Sequence, residues 1–240
     1  MKTIAILQPH YLPWIGYFEM IDRVDEFWLF DDVDFIKREW KNRNRIRGTA
    51  DGSEPKWLSV PIERACQRGT PIAEARLASD VDWRRRHRDA FDEVYRHAPH
   101  HALAAQLLEA GLAREARTLA ELNAALLEVL CGQLGIQTPL RRTSTLAVEG
   151  AKTERLIAVC RAVGATAYLA NDRSSDYLQL ERFAEAGIEI EYQGYAHPEY
   201  VQRSRGRELP FLSHLSVLDL IANQGEDALS VIRAGRGVHR

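Results

Sequence analysis

The sequence predicts an α/β protein built on a mostly parallel, Rossmann-like sheet with a helical middle layer. Short apolar runs such as Ile4–Leu7 and Phe27–Phe30 have the length and continuity of strands buried on both faces. In the C-terminal half, amphipathic helices that end at glycine alternate with further short apolar runs. This alternation is typical of βαβ units with right-handed crossovers.

The sequence of the N-terminal third predicts strands that are joined by polar or proline-containing loops. Two prolines after the first apolar run prevent that strand from continuing, and apolar residues at helical spacing come next. The expected elements, in order, are a strand at Thr3–Gln8, a helix with Phe18, Met20, Ile21 and Val24 inward, a strand at Phe27–Phe30, a strand at Lys56–Pro61 and an edge strand at Ile72–Leu77.

The composition becomes helical at about residues 83–135. Apolar residues at helical spacing predict helices at Trp83–Arg96, His100–Gly111 and Thr118–Leu134, and Gly135 ends the last one. We expect this stretch to be an insertion or cap within one domain that spans residues 1–240. The later elements are an extended segment at Leu140–Leu146, a helix at Lys152–Val163, a strand at Ala167–Leu169, a helix at Tyr177–Ala186, a strand at Ile188–Tyr192 and a helix at Ser216–Asn223.

The composition is that of an ordinary globular protein, with 45% hydrophobic and 28% charged residues. A net charge of −2 gives no overall attraction to nucleic acid or membranes, and no apolar run approaches the length of a membrane span. Cys66, Cys131 and Cys160 have no CxxC or Cys/His spacing, so we expect reduced thiols and no metal site. The chain leads directly into a strand, so we expect a cytoplasmic protein.

Polar side chains follow the first two predicted strands. Gln8 and His10 come after the first, and Asp31 and Asp32 come after the second. Ligands of open α/β sheets bind beyond the carboxyl ends of parallel strands, so we expect these side chains to line a site. The two aspartates suit a metal ion or a general base, but aspartates that only end a strand and cap the next segment would look the same.

The loop after the first strand is rich in aromatic residues, and a basic segment follows the two aspartates. Tyr11, Trp14 and Tyr17 either contact a ligand, as loop residues often do, or only cover the edge of the sheet. The segment Asn42–Arg45 alternates Asn and Arg, which suits the binding of a carboxylate or phosphate. A solvated basic strand would have the same sequence.

Two C-terminal motifs add candidates. His197 lies among prolines and aromatic residues, where an imidazole suits general acid–base work. Ser174 and Ser175 either bind a phosphate at the start of the next helix or only cap that helix. The phosphate-loop motifs GxxxxGK[ST] and GxGxxG are absent, as is the GxSxG elbow of α/β-hydrolases.

Several of these motifs together resemble the WbqC-like protein family, over nearly the whole chain. The segments that carry the resemblance are Gln8–Phe18, Asp31–Lys37, Trp40, Asn42–Ile46, Trp57–Pro61, His197–Gln202, Leu215–Leu220, Asn223 and Gly225. The resemblance implies a bacterial enzyme of surface-polysaccharide or related pathways that transfers an amino acid, for example glycine, to an amino sugar. One departure, Ala170–Arg173 in place of a glycine-containing loop, leaves the substrate open.

A weaker similarity of fold links the first loop to HUP-like nucleotidylyltransferases and pantoate ligases. Those enzymes bind nucleotide phosphates with an HxGH-type motif. Here Tyr17 stands where the second histidine would be, so the imidazole pair is incomplete.

These observations lead to one expected function and two alternatives. We expect an acyl or aminoacyl transferase, with aminoacyl-tRNA as one candidate donor, in which His10 or Asp32 is the base. Lys37, together with Arg43 and Asn44, is expected to hold the phosphate or carboxylate of the donor. A HUP-like adenylating enzyme that needs ATP and magnesium, or a non-catalytic partner that holds a sugar nucleotide, are the alternatives. The expected substrate-binding residues are Gln8, Tyr11, Tyr17, Asp31, Trp40, Asn42, Arg43, Asn44, Arg45, Ser174, Ser175, His197, Tyr200 and Gln202.

Two structural expectations accompany this function. The first is that a single pocket brings together His10, Tyr17, Asp32, Asn42, Asn44 and His197. The second is that Asn44 and Arg45 are exposed, so that replacing either by alanine costs less than about 0.5 kcal/mol of stability.

Overall fold

The computed structural model describes residues 1–49, 54–66, 69–79, 81–172, 174 and 178–237. Its strands are short, with two to five residues each. They are β1 (Thr3–Leu7), β2 (Glu26–Leu29), β3 (Arg43–Arg47), β4 (Pro55–Ser59), β5 (Leu140–Arg142), β6 (Ala167–Ala170), β7 (Glu189–Tyr192), β8 (Arg203–Ser204) and β9 (Arg207–Glu208).

The helices fill the segments between these strands. They are α1 (Ile15–Arg23), α2 (Trp83–Tyr95), α3 (His101–Leu112), α4 (Leu119–Leu134), α5 (Lys152–Ala162), α6 (Leu180–Glu185), α7 (Val217–Gln224) and α8 (Ala228–Ala234). No helix in this described part of the chain is long and apolar enough to cross a membrane.

Five strands form one parallel sheet in the order β5-β2-β1-β6-β7. Numbered by their appearance in the chain, these strands run 3-2-1-4-5, which is the order of a doubly wound Rossmann-like sheet. The predicted α/β class and parallel sheet are therefore confirmed. The strand order reverses between β1 and β6, and ligands of such sheets bind at that reversal, beyond the carboxyl ends of the strands.

The alternation of side chains along the strands gives the sheet two buried faces. Ala5 and Phe27 point to the face covered by α1, the middle helices and the C-terminal helices. Ile4, Ile6 and Trp28 point to the other face, which α5 and α6 cover. This accounts for the unbroken apolar runs, because a strand buried on both faces has no solvent-facing position.

The middle helices form where the sequence predicts them. Thr118 and Glu121 make a reciprocal capping box at the start of α4, and Gly135 ends α4 with a positive φ of 73°. The pairs α2–α3 and α3–α4 are in contact, and α3 also packs on α7. These helices therefore form a continuous layer on the α1 side of the sheet.

Three predicted elements differ from the structure. The edge strand expected at Ile72–Leu77 is wrong: a 3₁₀ turn at Ile72–Glu74 occupies its first half, and only isolated bridges follow. Pro71 at the N-cap of that turn has no N–H to donate to a ladder. The extended segment expected from Leu140 stops at Arg142, where another 3₁₀ turn begins. The helix expected from Tyr177, a residue outside the described part, starts at Leu180.

Candidate functional site

The loop between β1 and α1 is fixed through its backbone carbonyls. The carbonyl of Gln8 accepts a hydrogen bond from the Tyr17 hydroxyl at 2.9 Å, and that of Pro9 accepts one from the Asn123 amide at 2.9 Å. The Asn44 amide donates to the carbonyls of Tyr11 and Leu12 at 3.1 and 2.8 Å.

This support holds the loop in a shape that it would not adopt alone. Leu12 has a positive φ of 43°, which is strained for a residue with a side chain, yet it is fully buried. The Val217 amide closes the loop on its far side by donating to the carbonyl of Pro13 at 2.8 Å. The loop is therefore a rigid support that presents His10 at the carboxyl end of β1.

A cleft of about 590 Å³ opens beside this loop. It lies beyond the carboxyl ends of β1, β6 and β7, where the strand order reverses. Its size is in the range of small-molecule sites. The lining residues are Leu7, His10, Trp14, Gly16, Tyr17, Met20, Trp40, Arg45, Asn171, Asp172, Gln193, Tyr195 and His214.

His10 is the partly buried imidazole of this cleft. Its ring lies 5.1 Å from the ring of Tyr17, and its side chain makes no hydrogen bond within the described residues. Burial, together with the positive charge of Lys41, lowers the pKa of His10 to about 3. The imidazole is therefore neutral near pH 7, and its nitrogens remain available to a ligand.

One wall of the cleft is formed by a cluster of aromatic rings around Trp14. The indole lies 5.1 Å from the ring of His214, 5.8 Å from that of His197 and 5.7 Å from that of Tyr195.

His197 is not among the residues that line the cleft, so the expectation that it shares a pocket with His10 is wrong. Hydrogen bonds also occupy both of its ring nitrogens, which leaves neither to act as a base. Its Nδ1 donates to the carbonyl of Pro198 at 2.9 Å, and its Nε2 accepts from the amide of His214 at 3.1 Å.

Arg45 and two tryptophans form the rim of the cleft. The guanidinium of Arg45 lies 5.4 Å from the ring of Trp40 and 5.7 Å from that of Trp57, and it donates to the carbonyl of His214 at 3.2 Å. Arg43 lies 4.1 Å from the ring of Trp57. A positive charge beside aromatic faces suits a ligand that combines a flat ring with an anion.

Asp31 and Asp32 do not reach the cleft. The carboxylate of Asp31 is fully buried and binds Arg142 at 2.6 Å, and it also accepts from the amide and hydroxyl of Ser144. Asp32 pairs with Arg155 and accepts from Thr143 at 2.6 Å. Both aspartates therefore tie β2 to β5 and α5, and the expectation that Asp32 shares a pocket with His10 is wrong. Among the described residues there is no cluster of three or more His, Cys, Asp or Glu that could hold a metal ion.

The lysine near His10 is not the one that the sequence suggested. Lys37 is exposed and lies outside the set that lines the cleft. Lys41 is buried, pairs with Glu39, and is close enough to lower the pKa of His10. Burial also lowers the pKa of Lys41 itself.

The two asparagines point inward, because residues 42, 44 and 46 share one face of β3 and its approach. Asn42 donates to the carbonyl of Val60 and accepts from the amide of Arg38, while Asn44 binds the first loop. Asn44 is only 3% exposed, so the expectation that it is exposed is wrong. Its amide supports the site from behind, and Arg45 remains in the cleft.

Other expected site residues are used inside the protein. Tyr11 donates its hydroxyl to Nδ1 of His87 at 2.7 Å within the core, and Gln8 contributes its carbonyl to Tyr17. Ser174 donates to the carbonyl of Asn171 at 2.5 Å and does not cap α6, whose N-cap is Gln179. Ser175 lies outside the described residues.

Tyr200 and Gln202 belong to a buried network around Asp219. The carboxylate of Asp219 accepts hydrogen bonds from Tyr95, Tyr200 and Gln202 at 2.7–2.8 Å. Burial raises the pKa of Asp219 above its usual value, although these donors oppose the shift. Arg47, also buried, pairs with Gln202. The network fastens the segment after β7 to α7 and β3, and it does not line the cleft.

Some cleft residues have no signal in their own sequence neighbourhood. His214 and Gln193 come from distant segments, and only the fold brings them together. Asp172 lies in Ala170–Arg173, the segment in which the chain departs from the family pattern. Gln193 donates to Glu19 at 2.6 Å and to the carbonyl of Gly16 at 2.7 Å, which joins β7 to α1. A sequence signal existed for Trp14, which lies between a proline and Ile-Gly in the loop after β1.

The chain is similar to known proteins along most of its length. The model of the WbqC-like protein family matches residues 8–231. The uncharacterized protein Rv1507c of Mycobacterium tuberculosis is 36% identical over 237 residues, which cover 97% of this chain and 98% of that protein. No solved structure matches the chain at a significant level.

Proposed function

Because this chain belongs to the WbqC-like protein family, and because its cleft lies at the strand-order reversal of a Rossmann-like sheet, we propose that it is a group-transfer enzyme. It joins an acyl or aminoacyl group to the amine of a sugar or other small molecule. The observation that carries this proposal is His10, a neutral imidazole without a side-chain hydrogen bond within the described residues, at the end of β1 in the cleft.

The reaction needs a proton acceptor beside the attacking amine. The amine nitrogen forms a bond to the carbonyl carbon of the donor, the leaving group departs with its electron pair, and the amine proton passes to an imidazole nitrogen of His10. A pKa of about 3 makes the imidazole of His10 a weak base. An anionic donor group bound nearby would raise that pKa, because a negative neighbour favours the imidazolium.

The remaining cleft residues suit the two substrates. Trp14 and Tyr195 give flat apolar surfaces against which a sugar ring packs. Asn171 and Asp172 supply polar groups for hydroxyls or an ammonium at the carboxyl end of β6. Arg45 supplies a positive charge for a phosphate or carboxylate of the donor.

A second function, ligand binding without turnover, is favoured by one observation. The pKa of about 3 at His10 suits a hydrogen-bonding residue better than a base that works near pH 7. An ATP-dependent adenylating enzyme has less support, because Asp31 and Asp32 form ion pairs with Arg142 and Arg155. Those aspartates would have to leave their partners to bind magnesium.

The experiment that tests the proposal uses purified protein, an amino sugar as acceptor, and either glycyl-tRNA or glycine with ATP as donor. Mass spectrometry then detects an acceptor that has gained one glycyl group, and a coupled assay detects pyrophosphate. Transfer from glycyl-tRNA without ATP supports the proposed transferase. Pyrophosphate release that depends on glycine and ATP supports adenylation, and the absence of product with every amine tested supports binding alone.

A further inference from the structure

The rim of the cleft carries an unusual exposed aromatic pair. Trp40 and Trp57 are 39% and 41% exposed, whereas Trp28 and Trp83 are buried. The two exposed indoles lie 5.4 Å apart, and Trp40 also lines the cleft. Tryptophans rarely remain exposed together without a partner, so a patch of this kind marks a contact surface.

Two arginines accompany these rings on one face of β3. Register places Arg45 opposite Trp57, and Arg43 lies one alternation away on the same face. Neither guanidinium forms an ion pair with a described carboxylate, and Arg45 donates one hydrogen bond to the carbonyl of His214. The Nε atoms of Arg43 and Arg45 are buried without a hydrogen-bond partner among the described residues, so only the terminal N–H groups can reach an anion from solvent.

The fold also favours the rim over the usual phosphate position of such sheets. In most Rossmann-like sheets the phosphates of a nucleotide bind at the N-terminus of the helix after β1. Here the indole of Trp14 covers that position, since a Cβ built on Gly16 would lie 2.3 Å from the ring. Among the described residues that line the cleft, Arg45 is the basic one.

We propose that Trp40, Trp57, Arg43 and Arg45 bind the nucleobase and diphosphate of a nucleotide-linked substrate. The base stacks on the exposed indoles, and the two arginines hold the diphosphate. The group linked to the diphosphate then extends into the cleft toward His10. This inference rests on the proposed function for the direction of the linked group, but base and diphosphate binding can be measured without any turnover.

The test is isothermal titration of the protein with UDP, dTDP, GDP and ADP, each alone. Inorganic pyrophosphate and a short single-stranded CCA oligonucleotide serve as separate ligands. Trp57→Leu should weaken the binding of the preferred nucleotide by at least about fivefold, through the loss of one stacking contact. Arg45→Gln should weaken it by at least about tenfold, since a charge-assisted contact to phosphate is lost.

Two controls separate this site from the chemistry of the cleft. Arg161→Gln removes the same charge from the exposed side of α5, on the other face of the sheet, and should leave binding unchanged. His10→Gln should also bind the nucleotide with nearly wild-type affinity, whether or not it turns over. A variant is compared only if its thermal unfolding matches that of the wild type.

The outcomes are distinct. Binding of one diphosphate nucleotide that both rim variants weaken supports the inference, even if no transfer is ever detected. The inference fails if none of the four nucleotides binds at millimolar concentration, or if Arg45→Gln and Trp57→Leu bind like the wild type. It also fails if the oligonucleotide binds and the nucleotides do not, because the rim would then be a nucleic-acid site. Transfer activity without nucleotide binding would support the proposed transferase and refute the proposed nucleotide site.

Discussion

Replacing Asn44 by alanine should destabilise the protein strongly, although the residue lies in a basic, polar segment. Its amide donates to the carbonyls of Tyr11 and Leu12 at 3.1 and 2.8 Å, and both acceptors are buried. Each buried carbonyl left without a donor costs about 1–3 kcal/mol, so the loss of both contacts should cost about 2–6 kcal/mol. The strained φ of Leu12 also loses part of its restraint.

The assay is thermal and urea unfolding of the variant and of a matched control. For a chain of this size, that loss corresponds to a fall in Tm of about 4–24 °C. Asn171→Ala is the control, because Asn171 is partly exposed at the cleft and its side chain makes no hydrogen bond within the described residues. This control replacement should lower the free energy of unfolding by less than about 0.5 kcal/mol. Equal melting temperatures for the two variants would refute the argument that Asn44 fixes the first loop.

Two further predictions concern packing at the cleft and pH. Gly16→Ala should destabilise by about 1–3 kcal/mol and change the tryptophan fluorescence, because its Cβ would lie 2.3 Å from the Trp14 indole. In contrast, a Cβ on Gly132 in α4 has no atom within 4 Å, so Gly132→Ala should stabilise the protein by about 0.4–1 kcal/mol. Equal changes in stability for the two variants would contradict this interpretation. The pKa of His10 is about 3 in the folded state and about 6.5 in the unfolded state. The contribution of His10 to the free energy of unfolding is therefore fully present above about pH 6.5 and is lost as the pH falls. When the pH falls from 7 to 5, the free energy of unfolding of the wild type should decrease by up to about 2 kcal/mol more than that of His10→Gln, as measured in urea. Identical decreases would show that water in the cleft solvates the imidazolium.

The sequence predicts the sheet well because its strands carry their own signal. A strand buried on both faces needs an unbroken apolar run, and Ile4–Leu7 and Phe27–Phe30 provide it. The position of His10 follows from the same run, since it comes directly after the strand that lies beside the reversal of strand order. The middle helices are predicted equally well, from the spacing of their apolar residues and from the capping box of α4.

The site is less predictable because the positions of its side chains depend on partners that are distant in the sequence. Asp31 and Asp32 follow a strand just as His10 does, but Arg142 and Arg155 draw their carboxylates to the β5 side. Nothing near Asp31 in sequence indicates those partners. Asn44 is different, since Ile46 lies two residues on and marks the buried face of the strand. That alternation was available in the sequence and predicts an inward Asn44.

The proposed function requires that chemistry takes place beside His10 in the cleft. The most direct measurement is kcat and KM for His10→Gln in the glycyl-transfer assay, with unfolding measured in parallel. We expect a folded protein that binds its ligand and has a kcat lower by at least about a hundredfold. A near-normal kcat with a raised KM would contradict that role, and His10 would then be a binding residue in a site whose base lies elsewhere.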